Sequence, residues 1–122
     1  MQVPILKQGD YLIASIQDAL TDADLAQLQT ELVGQVRRFR SRGAIIDVTA
    51  LDVMDSFASL TLRHIASMTR LLGAQTVIVG IQPEVAFAMV RLGLMLEGIE
   101  TALDLEEGLA SLKRQGGTNR DR

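Results

Sequence analysis

The chain of 122 residues has no cysteine and no tryptophan, one histidine, two prolines and 3% aromatic residues. The missing cysteine excludes disulfides and every thiolate metal site, and suits a reducing compartment. A single histidine, His64, excludes the paired imidazoles of most transition-metal centres. With so few aromatics, the core must be built from Leu, Ile, Val, Ala and Met, which is feasible at 48% hydrophobic residues. No apolar run reaches the about 18 residues that span a bilayer. The first apolar run is broken by Lys7 and Gly9-Asp10, so it does not read as a signal peptide. Neither GxGxxG nor GxxxxGK[ST] occurs. The nearest turn, Gly80-Ile81-Gln82-Pro83, ends in a residue without an N–H to offer a phosphate. Nucleotide cofactors are therefore not expected.

Basic charge is also scarce. The net charge is −3. Lys113, Arg114, Arg120 and Arg122 outnumber Asp121 at the C-terminal end, so the rest of the chain is more acidic than the total. An acidic body argues against nucleic acid, whose phosphates call for a basic face. One basic cluster, RRFRSR at 37–42, reads as a complement to a helix C-terminus.

What is present is an alternation of hydrophobic periods. VPILK (3–7) and YLIASI (11–16) flank QGD and predict a hairpin. Leu25, Leu28, Leu32, Val36 and Phe39 recur at helical spacing, with Thr21, Asp22 and Asp24 as start signals and Gly43 as a stop. AIIDV (44–48) and TVIVG (76–80) are short continuous apolar runs, the mark of buried parallel strands. Residues 56–72 return to helical spacing, with Phe57, Leu60, Ile65, Met68 and Leu72 expected on the core face and Gly73 at the end. Pro83 and Glu84 open another helix. IETALD is extended, and LEEGLASLKR is a short amphipathic helix. The order ββαβαβαβα predicts one α/β domain with a mixed, mostly parallel sheet of four or five strands and about four helices. The domain is expected over 1–115, with a disordered polar tail over 116–122.

Three side chains invite chemistry. His64 and Ser56 stand eight residues apart on one helix, about 12 Å at 1.5 Å per residue, too far for a nucleophile and its base. Asp47 ends a central strand, where phospho-accepting aspartates sit. The acidic pair and late lysine that would hold Mg²⁺ beside it are missing, so it reads as an acceptor for loop N–H groups. Ser56, in VTALDVMDSFASL, is either a helix cap (with Asp55 as the alternative) or a modification site. A helix start leaves N–H groups unpaired and favours a phosphate. Asp52 and Asp55 beside it mean that a phosphate would sharply change the local surface.

The stretch IIDVTALDVMDSFASL resembles the strand–loop–helix of STAS domains, the anti-sigma factor antagonists. VPILKQGDYLIASIQDALTD, LLGAQTVIVGIQPEVA and LEGIETALDLEEGLASLKR resemble the short RsbS-type branch found in stressosomes, over about residues 3–115. The resemblance implies a non-catalytic switch without metal or cofactor. Its phosphoserine falls on Ser56, with Ser59 one turn on as a secondary candidate, and Asp52, Asp55, Ser56 and Ser59 as partner-interface residues. It implies an RsbT-type serine kinase, an RsbR-type STAS paralogue and self-association in a large cytoplasmic assembly as partners, and neither nucleic acid nor membrane. An antagonist that binds an anti-sigma kinase directly shares the same fold and serine. A small α/β enzyme using Asp47 or Ser56 is the other alternative, and no base, metal set or nucleotide loop accompanies either residue.

Overall fold

A computed structural model describes residues 2–94, 96 and 98–120, with side chains through 116. The order is β1 (Ile5–Gln8), β2 (Tyr11–Ser15), α1 (Asp22–Phe39), β3 (Gly43–Asp47), α2 (Ser56–Leu71), β4 (Gln75–Val79), α3 (Pro83–Leu92), β5 (Glu100–Ala102) and α4 (Leu105–Arg120). The sheet has five strands in sequence order. β1 and β2 form the expected hairpin, closed by Gly9 and Asp10, with Gln8 opposite Tyr11. All other neighbours are parallel, so each crossover runs through a helix. The mixed α/β domain is therefore the one the periods predict.

Both faces of the sheet are covered, which is why its central strands are apolar without a break. Leu12, Ala14, Ala44, Ile46 and Ile78 face the layer that contains α1, α2 and α3. Ile13, Ile45, Val77 and Val79 face Leu112 of α4. A fully buried side chain of this kind contributes about 1.5–3 kcal/mol. α4 lies close to its strands. A Cβ on Gly108 would come within 2.7 Å of Val79 Cγ1. Gly43 is equally confined, because a Cβ there would meet Leu112 Cδ2 at 2.7 Å.

α1 starts with a capping box, in which Thr21 Oγ1 accepts from the Asp24 N–H and Asp24 Oδ2 from the Thr21 N–H, both at 3.1 Å. It stops before the expected glycine. Arg40 takes the left-handed conformation (φ 52°), and the Ser41 N–H closes onto the Val36 carbonyl. Gly43 instead opens β3 under Leu112.

Four further expectations are corrected. Phe39 is 40% exposed, because α1 has run past the edge of the core by its last residue. Phe57 and Leu60 lie on the outer face of α2, at 40% and 44% exposure, and Leu72 is 44% exposed. The buried face carries Ala58, Ser59, Thr61, Leu62, Ile65, Ala66 and Thr69. It is disguised by polar residues: Thr69 Oγ1 donates to the Ala66 carbonyl at 3.0 Å and pairs with Thr76 Oγ1 at 2.6 Å. α4 runs to Arg120, into the stretch expected as a polar tail. An established helix gains one backbone bond per added residue, which offsets the poor propensity of Gly116 and Gly117. Residues 121 and 122 lie outside the described residues.

Candidate functional site

The site occupies the C-terminal edge of the parallel strands, where loops leave the sheet unpaired. Its frame is the β3–α2 loop, 48–55. Val48, Leu51 and Met54 are buried in the core, while Asp52, Val53 and Asp55 between and after them are exposed. The loop is thus pinned every third residue, and it presents the others on a fixed backbone.

Asp47 helps to build that frame. Its Oδ1 accepts from the Thr49 N–H at 2.9 Å and from Thr49 Oγ1 at 2.6 Å. The β4–α3 turn passes directly beneath. Gly80 has φ +81°, and a Cβ there would run into Thr49 Oγ1. Gln82 is the N-cap residue of α3 but makes no cap bond. Its Nε2 crosses to the Thr49 carbonyl at 2.6 Å. Asp47 therefore serves as a loop acceptor, as the sequence suggests, and Lys113 follows Leu112, which packs against Gly43 at the other end of β3.

Asp55, not Ser56, is the N-cap of α2. Asp55 Oδ1 accepts from the Ala58 N–H at 2.8 Å, and its carbonyl accepts from the Ser59 N–H at 3.0 Å. Ser56 is the first helical residue and is exposed. The first helical N–H groups at Ser56 and Phe57 have no carbonyl one turn back to bond. The Ser56 hydroxyl thus stands free of any capping duty at the positive end of a 16-residue helix.

Of the four interface candidates, Asp52, Asp55 and Ser56 share this exposed edge. Ser59 does not. It is 3% exposed, and its Oγ is buried with no hydrogen-bond partner among the described residues. A kinase cannot reach it in this conformation. Val53, Phe57 and Leu60 are what the sequence reading missed at the surface. Val53 is 74% exposed, and Phe57 directly follows Ser56. The signal for Phe57 and Leu60 was the competing stripe Ala58–Leu62–Ile65–Thr69, which places both on the far side of the helix.

His64 is exposed on α2. Among the described residues no group of three or more His, Asp or Glu side chains is arranged for a metal. No described helix is long and apolar enough to cross a membrane.

A family model described as the STAS domain matches residues 2–108. Among solved structures, a serine-to-glutamate variant of RsbS from Moorella thermoacetica superposes with a TM-score of 0.81 at 38% identity, covering 93% of this chain and 97% of that one. A chain from the structure titled molecular architecture of the stressosome, a signal integration and transduction hub, superposes at 0.76, also at 38% identity, covering 93% and 98%. Among curated proteins, the RsbT co-antagonist protein RsbRA of Bacillus subtilis is 30% identical over 83 residues, 68% of this chain and 30% of that protein. The chain thus spans under a third of the length of that curated relative. The anti-sigma factor antagonist SpoIIAA, at 12% identity and a TM-score of 0.69, shares the fold.

Proposed function

The chain belongs to the STAS domain family, and from that premise we propose that it is a non-catalytic, phosphorylatable switch subunit of a stressosome-type assembly in the cytoplasm. It holds an RsbT-type serine kinase while Ser56 is unmodified, beside an RsbR-type STAS paralogue and further copies of itself. It lets the kinase go once Ser56 carries a phosphate.

The observation that carries this reading is the free hydroxyl of Ser56. It is exposed at the first position of α2, with capping left to Asp55, in a chain similar to RsbS over 93% of its length. A phosphate on this hydroxyl lies at the helix N-terminus, so the protein itself accommodates it without unfolding. The consequence falls on the partner. About 1.5 to 2 negative charges are added at pH 7 beside Asp52 and Asp55, in a surface that must be desolvated for the kinase to bind.

The test is phosphorylation of the full chain by its cognate RsbT-type kinase with ATP, read by intact mass and peptide mapping. One phosphate on Ser56, absent in Ser56→Ala, supports the switch. No phosphate, a phosphate elsewhere, or hydrolase or phosphatase activity of the chain alone would overturn it.

A further inference from the structure

The two ends of α1 carry surfaces that complement each other. At its N-terminal end, the loop before α1 and the loop before α2 enclose a groove of about 330 Å³. Leu20, Leu25, Leu51 and Ala58 line it, and Val53 forms an exposed lip. Asp18, Asp52 and Asp55 stand on its rim, all exposed. Among the described residues Asp18 accepts only from the adjacent Ala19 N–H at 2.7 Å, and Asp55 from its own helix.

At the other end, Phe39 closes α1 and is 40% exposed. The Arg38 guanidinium lies 5.4 Å from the ring centroid and the Lys7 ammonium 5.8 Å. Arg37, Arg40 and Arg42 are exposed alongside. Among the described residues, none of these arginines is held in an ion pair. Fourteen residues separate Leu25 from Phe39, which is about 21 Å along the helix axis. The two surfaces are therefore on opposite poles, and one molecule cannot close them on itself.

We propose that they are the two halves of one contact. Phe39 of one copy, with its cationic collar, docks into the acid-rimmed groove of a second copy, head to tail. A ring flanked by cations would enter a neutral groove only by stripping water from unpaired charge, and the carboxylate rim supplies the missing partners. The groove is roomy enough for a phenyl ring, and the chain has only three phenylalanines with which to fill it. Because the halves differ, the contact is heterologous: it extends copy by copy until a rotation closes it or another partner caps it. The inference builds on the reading of the chain as an assembling module. Asp52 and Asp55 belong both to this rim and to the surface offered to the kinase, so a docked copy and a kinase exclude each other there.

Sedimentation velocity of the full chain tests the contact. Two variants are needed. Phe39→Ser with Arg38→Gln and Arg40→Gln removes the knob and keeps the groove. Asp18→Lys with Asp52→Lys blocks the groove and keeps the knob. All five positions are exposed, and thermal melts confirm that both variants fold. Wild type should associate at about 10 mM ionic strength and fall apart near 1 M, where the Debye length shrinks from about 30 to 3 Å. Each variant alone should associate at least tenfold more weakly. An equimolar mixture should form a 1:1 dimer and stop, since one intact knob and one intact groove remain between them. Wild-type association in both variants, a monomeric wild type at low salt, or a mixture that stays monomeric would overturn the contact. Kinase phosphorylation of Ser56 in the knob variant separates the two readings. Its persistence leaves the switch standing if the contact fails. Its absence in wild type too would sink the switch and leave the sedimentation result to judge the contact.

Discussion

Gln82 Nε2 donates to the carbonyl of Thr49 at 2.6 Å, from the start of α3 to the loop that leads into α2. The bond ties two turns that follow neighbouring strands. Gly80 makes it possible by letting one turn pass under the other. Gln82→Ala should cost about 1 kcal/mol, the net worth of one such bond. Gly80→Ala should cost more, about 2–3 kcal/mol, because a positive φ and contact with Thr49 Oγ1 act together. Urea titrations of both variants check the order. A larger loss in Gln82→Ala than in Gly80→Ala would mean that the turn relaxes easily and that the tie, not the glycine, holds the loop.

Asp55 and Ser56 are adjacent but do different work. Asp55→Ala should destabilise the domain by about 1 kcal/mol through the lost cap to Ala58, and Asp55→Asn should recover most of it. Ser56→Ala should stay within about 0.5 kcal/mol of wild type, because its hydroxyl caps nothing. Melting curves of the three variants give the comparison. A loss of about 1 kcal/mol in Ser56→Ala would reassign the cap and weaken the case for a hydroxyl reserved for modification.

Ser59 is the opposite case, a serine in the core without a hydrogen-bond partner among the described residues. Burying an unsatisfied hydroxyl costs about 1–3 kcal/mol, so Ser59→Ala should leave stability unchanged or raise it by about 1 kcal/mol. It should also leave phosphorylation at Ser56 intact. Denaturant midpoints and intact mass measure the two effects separately. Loss of the phosphate in Ser59→Ala, with Ser56→Ala still modified, would move the site and require α2 to open.

The elements that proved legible are those whose pattern has one explanation. AIIDV and TVIVG are apolar on both faces because helices cover both faces, and Thr21 with Asp24 announces the start of α1 through bonds the structure contains. Ser56 stands at a helix start, as its sequence context implies, but the choice between cap and free hydroxyl depends on the bond from the Ala58 N–H to Asp55, which only the structure shows. The core face of α2 was misread because tertiary contacts override hydrophobicity there. Thr69 is buried because Thr76 on the strand beneath α2 pairs with its hydroxyl, and Phe57 is exposed although it is among the most apolar residues on the helix. The groove at 330 Å³ joins Asp18 to Asp52, two loops that only strand order brings side by side.

The effect of phosphate on kinase binding is the sharpest expectation, and it follows from where the charge lands. Ser56 adjoins Asp55, and Asp52 stands in the same exposed loop. A partner that binds this edge must already desolvate two carboxylates. A further charge of about −1.5 to −2 without a matching cation costs several kcal/mol in an interface, or two orders of magnitude or more in affinity. Ser56→Ala should therefore bind the kinase like the unmodified protein and fail to release it. Ser56→Asp should fold normally and bind more weakly than wild type, though less so than the phosphoprotein, since one carboxylate carries less charge and fewer acceptor oxygens. Added salt should narrow the gap between the phosphorylated and unmodified forms, because the repulsion lies at a partly exposed edge. Titration of the kinase against the four forms at two ionic strengths measures all of this. Equal affinity for wild type, Ser56→Asp and the enzymatically phosphorylated chain would show that the free hydroxyl at the head of α2 is not a switch.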